Sequence, residues 1–179
     1  MLTIGDQFPD YHLKGVVAED PKKAFQDFTP ATHEGKWRLV FFYPKDFTFV
    51  CPTEIVGYAK LAKQFADRDC AVLGASTDSE WVHLAWRTHH PELKGLAIPL
   101  LSDLSRSLSE ALGILDPKDK VCQRATFLVD PNGVIQHVTV NAGKVGRNPE
   151  ESLRILDALQ SDELCPCNWK QGDDFIKVK

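Results

Sequence analysis

The segment Pro44-Lys45-Asp46-Phe47-Thr48-Phe49-Val50-Cys51-Pro52-Thr53-Glu54 sets one thiol where an apolar, strand-like run, Phe41-Phe42-Tyr43, gives way to a helical pattern. Pro52 suits the first position of a helix, where its missing N–H costs nothing and its fixed φ is already helical. That register makes Cys51 the N-cap, a place usually held by Ser, Thr, Asp or Asn. Glu54, three residues on, completes the spacing of a capping box. A thiol at that position faces unpaired N–H groups and the positive end of the helix dipole, and both favour the thiolate. Cysteines so placed ionise at about pH 3.5–7.5, against about 8.5 for a free thiol. Cys51 therefore reads as a reactive nucleophile.

The elements that must hold this thiol alternate along the chain. Trp37 to Tyr43 is a short apolar run suited to a buried strand. From Cys51 to about Phe65, Ile55, Tyr58, Ala59, Ala62 and Phe65 recur at helical spacing. Cys70 to Ser76 predicts a second buried strand and Ser79 to His89 a second helix, with Pro91 and Gly95 marking the loop beyond it. A brief strand over Pro99 to Leu101 and a short helix over Ser105 to Leu112, stopped by Gly113, follow. Thr126 to Val129 and Val134 to Val140 flank Asp130-Pro131-Asn132-Gly133, a hairpin signal. Pro149 opens a last helix to about Gln160, and a polar tail begins near Asp162. The expected architecture is α/β, with a domain over residues 1–161 and a tail over 162–179.

Composition bounds the setting. A chain of 179 residues with 43% hydrophobic and 26% charged residues is long enough to bury a core as one domain. Its net charge of −4 gives no electrostatic reason to expect nucleic acid or an anionic membrane as partner. The N-terminus has no basic stretch followed by an apolar core, and no apolar run approaches the ~20 residues of a membrane span, so a cytoplasmic protein is expected. In a reducing compartment an odd count of five cysteines argues for transient or catalytic thiols over a disulfide framework. Zinc is disfavoured: Cys165-Pro166-Cys167 is the one close pair, it has no matching second pair, and His89 and His90 are adjacent rather than one helical turn apart. No metal and no cofactor are expected.

A strand–cysteine–helix junction at the edge of a small mixed sheet suggests a thioredoxin-like fold, central sheet flanked by helices. Thioredoxins use Cys-x-x-Cys, however, and Glu54 occupies the second cysteine's position here. A thiol exchanger would need its second thiol from elsewhere, and the tail holds two, Cys165 and Cys167.

Pro44-x-x-x-Thr48-x-x-Cys51, within FYPKDFTFVCPTEI, resembles the active-site motif of the peroxiredoxins and is most similar to their typical 2-Cys branch. The likeness spans nearly the whole chain: His83-Leu84-Ala85-Trp86, Pro99-Leu100-Leu101-Ser102-Asp103, Arg124-Ala125-Thr126-Phe127, Val145-Gly146-Arg147 and Leu164-Cys165-Pro166-Cys167 follow in family order. The LCPCNW tail resembles the actinobacterial type of the AhpC group, the peroxide-reducing component of alkyl hydroperoxide reductases.

The resemblance implies a thiol-dependent peroxidase for hydrogen peroxide and organic hydroperoxides, acting in antioxidant defence. It implies Cys51 as the peroxidatic thiol, oxidised to a sulfenic acid, and Cys165 as the resolving thiol of the opposite subunit. Thr48 is implied to align peroxide and thiolate, Arg124 to stabilise the thiolate and polarise the departing oxygen, and Pro44 to shield the site from water. Glu54 and Arg147 are implied to orient Arg124, and Cys167 to be an auxiliary thiol. Cys70, Cys122 and His83 are read as core residues, and Trp81 and Trp86 as packing. The implied partners are a homodimer assembled into a decamer or dodecamer and a protein reductant, whether thioredoxin, an AhpD-like lipoyl-linked carrier or a flavoprotein. A holdase chaperone and a general thiol–disulfide exchanger are the alternative functions.

Overall fold

In the computed structural model, which describes residues 1–178, seven strands form one mixed sheet. In chain order the elements are β1 (Leu13–Val16), β2 (Phe25–Phe28), β3 (Trp37–Phe42), α1 (Cys51–Ala66), β4 (Cys70–Ser76), α2 (Glu80–His89), β5 (Leu100–Ser102), α3 (Ser107–Ala111), β6 (Arg124–Val129), β7 (Ile135–Asn141) and α4 (Pro149–Ser161). Single 3-10 turns occupy Pro30–His33 and Pro91–Leu93. The strand order is β2-β1-β5-β4-β3-β6-β7. β3, β4 and β5 run parallel, joined by α1 and α2, while β6 and β7 add an antiparallel hairpin on one side and β1 and β2 on the other.

β3 lies inside the sheet, between β4 and β6, and is buried on both faces from Arg38 on, which is why its sequence is almost wholly apolar. Leu39, Phe41 and Tyr43 face α1, where they pack with Ile55, Tyr58, Phe65 and, from α4, Leu156. Val40 and Phe42 face the opposite core with Phe127, Leu101, Leu108 and Leu112. Phe41 stacks on Tyr58, ring centroids 4.3 Å apart. Gly74 lies beside Phe41 across the β3–β4 ladder, and a Cβ there would come within 2.9 Å of the Phe41 ring. Tyr58 then reaches Thr126 on β6 and Ser152 on α4 through its hydroxyl, at 3.3 and 3.2 Å. These contacts fix α1 against the sheet.

Most sequence expectations correspond to elements with shifted ends. Ser79 precedes α2 as its N-cap, accepting from the Val82 N–H, and Asn148 caps α4 by accepting from Glu150 N–H. Arg124 and Ala125 already belong to β6. β1 and β2 have no counterpart among the expectations, because LKGV and FQDF are too short for a periodicity signal and pair through a long intervening loop. The tail departs from its polar composition. Trp169 is buried, its ring stacks on Phe175, and its Nε1–H donates to the Asp173 carbonyl at 3.0 Å. Arg154 Nη1 donates to the Trp169 carbonyl at 2.8 Å, so one tryptophan anchors the segment on α4. Trp86 is a core residue as expected, whereas Trp81 leans on Phe25 but remains 60% exposed. No described helix is long and apolar enough to cross a membrane.

Candidate active site

The register of the sheet brings the cysteine and an arginine together. β6 runs antiparallel to β3 with Phe41 opposite Thr126, so Arg124, two residues before Thr126, lies past the end of β3. There the chain leaves the sheet, forms a loop over residues 43–50 and enters α1. Cys51 is the first residue of α1 and Val50, with helical dihedrals, is its N-cap. The expectation that Cys51 caps the helix, with Pro52 first, is therefore corrected by one residue. The helical turn begins earlier because Val50 O accepts from the N–H groups of Thr53 and Glu54 and from the Thr53 hydroxyl. The capping-box reading of Glu54 fails for a stronger reason: its carboxylate faces two arginines.

Both guanidiniums converge on this carboxylate. Arg124 Nη1 donates to Glu54 Oε2. Arg147 donates to Glu54 Oε1 from its backbone N–H at 2.9 Å and from Nε at 2.8 Å, and to Oε2 from Nη2 at 2.9 Å. All three side chains are 3% exposed or less. Arg147 Nη1 donates to Ala125 O and Thr126 Oγ1, and its guanidinium lies over the Phe41 and Tyr58 rings, at 5.5 and 5.9 Å. The loop after β7 supplies Arg147, and Asn141 ties that loop to itself by donating to Val145 O and Gly146 O.

Arg124 Nη1 and Nη2 stand 3.6 and 3.8 Å from Cys51 Sγ, and Nη2 also donates to Gly143 O at 2.8 Å. Two buried guanidiniums and one buried carboxylate leave one net positive charge beside a buried sulfur. Buried charge is costly unless paired, and Cys51 Sγ is the polarisable group nearest the unpaired side of the Arg124 guanidinium.

Cys51, Pro44, Thr48 and Arg124 all line one cavity of about 680 Å³, with Phe49, Val50 and Val140 among its apolar walls. Thr48 donates its hydroxyl to Lys45 O at 2.8 Å, which leaves the Oγ1 lone pairs free to accept. Pro44 is half-buried in the wall of this cavity.

The tail thiols are elsewhere. Cys165 is half-buried beyond the end of α4, 3.5 Å from Ser161 Oγ and 3.9 Å from Ala158 O, and Cys167 is exposed. Together with Arg154 and Leu159 they line a separate cavity of about 470 Å³. All five cysteines are free thiols. Cys70 is buried, and desolvation pushes its thiol up to about 12. Burial also pushes the Cys122 thiol up; it borders the Cys51 cavity but is fully buried and donates to Tyr43 O at 3.0 Å. Neither supplies a thiolate.

Sequence reasoning gave no role to Asp46 or Gly143. Asp46 sits inside the motif, buried between the exposed Lys45 and Phe47, and a lone acid within an apolar block was the signal for it. Gly143 acts through its carbonyl, which no side-chain pattern marks.

The Glu54 carboxylate also bears on stability. Glu54→Gln removes the one charge between two buried guanidiniums, and breaking such a pair costs about 3–5 kcal/mol. The expected fall in Tm is roughly 10 °C for a chain of this size, read by thermal unfolding at neutral pH. A Tm unchanged from the parent would show the cluster to be solvated.

The chain is similar to known proteins over most of its length. The profile of the AhpC/TSA family matches residues 4–138. Alkyl hydroperoxide reductase C of Mycolicibacterium smegmatis is 56% identical, covering 99% of this chain and 95% of its own length. Peroxiredoxin tpx1 of Schizosaccharomyces pombe is 44% identical, covering 99% and 94%. Among solved structures, AhpC of Mycobacterium bovis matches with a TM-score of 0.87 at 54% identity, covering 95% of this chain and 99% of that one. The reduced 2-Cys peroxiredoxin of Plasmodium vivax matches with a TM-score of 0.91 at 36% identity, covering 99% and 94%. The thioredoxin-like fold of the peroxiredoxin type is thereby established, and the chain belongs to the AhpC/TSA family of thiol-dependent peroxidases.

Proposed function

We propose that this protein reduces hydrogen peroxide and organic hydroperoxides through a Cys51 sulfenic acid that Cys165 of a second subunit resolves. The observation that carries this reading is the approach of Arg124 to Cys51 Sγ, within a buried cluster that holds one uncompensated positive charge. In the first step the Cys51 thiolate attacks the terminal oxygen of the hydroperoxide. The O–O bond breaks, Cys51 becomes a sulfenic acid, and the departing oxygen takes up a proton to leave as water or alcohol.

Thr48 accepts a hydrogen bond from the peroxide hydroxyl, which its own donation to Lys45 O leaves it free to do. Arg124 stabilises the thiolate and then the charge that grows on the leaving oxygen, a role suited to a forked, permanently charged donor. Glu54 and Arg147 hold Arg124 in place, and Pro44 limits water. In the second step the Cys165 thiol condenses with the sulfenic acid, forming the disulfide and releasing water. Cys167 takes over that disulfide by exchange and passes it to the reductant. Positioning and electrostatics account for the chemistry without a cofactor.

Oligomerisation is supported by the free edge of β7 and by the exposed apolar side chains Phe47, Phe49, Trp81 and Leu104. A dimer built into a decamer or dodecamer, in the cytoplasm, served by thioredoxin, an AhpD-like carrier or a flavoprotein, is the assembly and partnership proposed. Thioredoxin-like exchange is not favoured, because Glu54 holds the position of a second cysteine and is committed to two arginines. Cys165→Ser should retain one turnover of peroxide per Cys51 and lose steady-state turnover. Stopped-flow peroxide consumption checks this, and full steady-state activity in Cys165→Ser would overturn the assignment of the resolving thiol.

A further inference from the structure

We infer that the buried Asp46–His83 pair is a positioning device for the peroxidase reaction, holding the Lys45–Asp46 peptide in the plane that orients the Thr48 hydroxyl. This rests on the peroxidase reading and adds to it two residues that do not touch the sulfur.

The Lys45–Asp46 peptide unit is pinned from both ends. Its carbonyl, Lys45 O, accepts the Thr48 hydroxyl at 2.8 Å, and its N–H, from Asp46, donates to Asp78 Oδ2 at 2.9 Å. Because a peptide is planar, fixing the N–H fixes the carbonyl and hence the hydroxyl that hangs from it. Asp78 is itself held: Ser76 Oγ donates to its Oδ2 at 2.7 Å and Ser102 Oγ to its carbonyl at 2.7 Å. The Asp46 side chain provides the second anchor, with Oδ2 2.7 Å from Nδ1 of His83 on α2. Phe47, the next residue, takes φ +55°, left-handed backbone that a non-glycine residue keeps when its surroundings over-determine it.

Hydrogen-bond bookkeeping fixes the charge of the pair. His83 Nε2 lies 3.1 Å from Leu101 O, an acceptor, so Nε2 carries a hydrogen. The contact of Nδ1 with Oδ2 then requires one further proton between them, whichever atom holds it. The pair is neutral overall, as two groups with side chains 0% and 1% exposed should be. The groups facing it are Tyr43 Oη, 3.4 Å from Nδ1, the Asp78 carboxylate and the Leu101 carbonyl. Desolvation, the largest single influence, would lower His83, but the hydrogen bond and charge of Asp46, with the Asp78 charge and the Leu101 carbonyl, together outweigh it and raise His83 above the usual histidine range; burial raises Asp46. A group raised in the folded state keeps its contribution at low pH and loses it as pH climbs through the folded value. When the shared proton leaves, two lone pairs face each other and the side-chain anchor of the loop is lost, leaving the bond to Asp78 alone.

The test is kcat/KM for cumene hydroperoxide between pH 6 and 10, beside the iodoacetamide rate of Cys51, which reads sulfur and Arg124 but not Thr48. The parent should show an alkaline fall in kcat/KM beyond any change in alkylation. Asp46→Ala and His83→Ala should lower kcat/KM about 10–100-fold, as displaced reacting groups do, with alkylation at neutral pH unchanged. Asp46→Asn, whose amide N–H donates to Nδ1 with no proton to lose, should restore kcat/KM and flatten the alkaline fall. Equal losses in alkylation and turnover, no loss in either alanine variant, or an alkaline limb kept by Asp46→Asn would each overturn the inference. If the alanine variants do not fold, the Asp46→Asn profile decides alone. A parent that alkylates but consumes no hydroperoxide would overturn the peroxidase reading and this inference with it. Turnover without the pH signature would overturn this inference alone.

Discussion

Replacing Cys51 by serine is expected to reduce hydroperoxide consumption to the uncatalysed background while leaving the fold intact. The substitution changes one atom at a buried helix start, and the serine hydroxyl stays protonated and weakly nucleophilic at neutral pH. Arg124 retains Glu54 and Gly143 O, so its position does not depend on the sulfur. Cys70→Ala is the matched control. That thiol is buried on β4, pushed up to about 12, and should leave peroxide turnover as in the parent. Turnover persisting in Cys51→Ser, or vanishing in Cys70→Ala, would assign the chemistry to the wrong thiol. Steady-state consumption of cumene hydroperoxide with a thiol reductant distinguishes these outcomes.

Arg124→Gln is expected to cost about 10²–10³-fold in kcat/KM, the scale of removing one preorganised donor from a developing oxyanion. Glutamine keeps a donor but not the charge, so the iodoacetamide rate of Cys51 at neutral pH should fall as well. Arg124→Lys separates the two roles. Lysine supplies a cation but no fork, and cannot donate at once to Glu54, Gly143 O and the sulfur as the guanidinium does. It should recover part of the alkylation rate and little of the peroxide turnover. Alkylation and turnover recovering together would reduce Arg124 to a point charge.

What was legible in the sequence follows from where the information resides. Cys51, Thr48 and Pro44 are within eight residues of one another, and a motif of fixed spacing carries them. Arg124 and Arg147 are distant in sequence, and their approach to Glu54 depends on the β3–β6 register and on the loop after β7. Spacing does not encode that register; family likeness did. The one-residue error at the head of α1 came from weighting Pro52 as the first helical residue, when Val50 O already receives the bonds that start the helix. β1 and β2 were missed because four-residue strands leave too few positions for alternation to show. The Trp169 anchor hid in a polar segment, since burying one indole needs no periodic pattern. Asp46 was missed because its partner, His83, lies on α2, and a buried acid and a buried histidine each read as ordinary until they meet.

In the proposed cycle a Cys51 sulfenic acid is resolved by Cys165 across a subunit boundary. The most direct test is one equivalent of cumene hydroperoxide added to the reduced protein, followed by a non-reducing gel and intact mass, beside Cys51→Ser and Cys165→Ser. Cys51 and Cys165 line separate cavities of one chain, and a disulfide between two chains doubles the mass on a non-reducing gel. A covalent dimer is expected in the parent and absent from both variants. A parent that stays monomeric with its mass unchanged would mean that Cys51 is not peroxidatic, and one that stays monomeric but loses two hydrogens would place resolution within one chain.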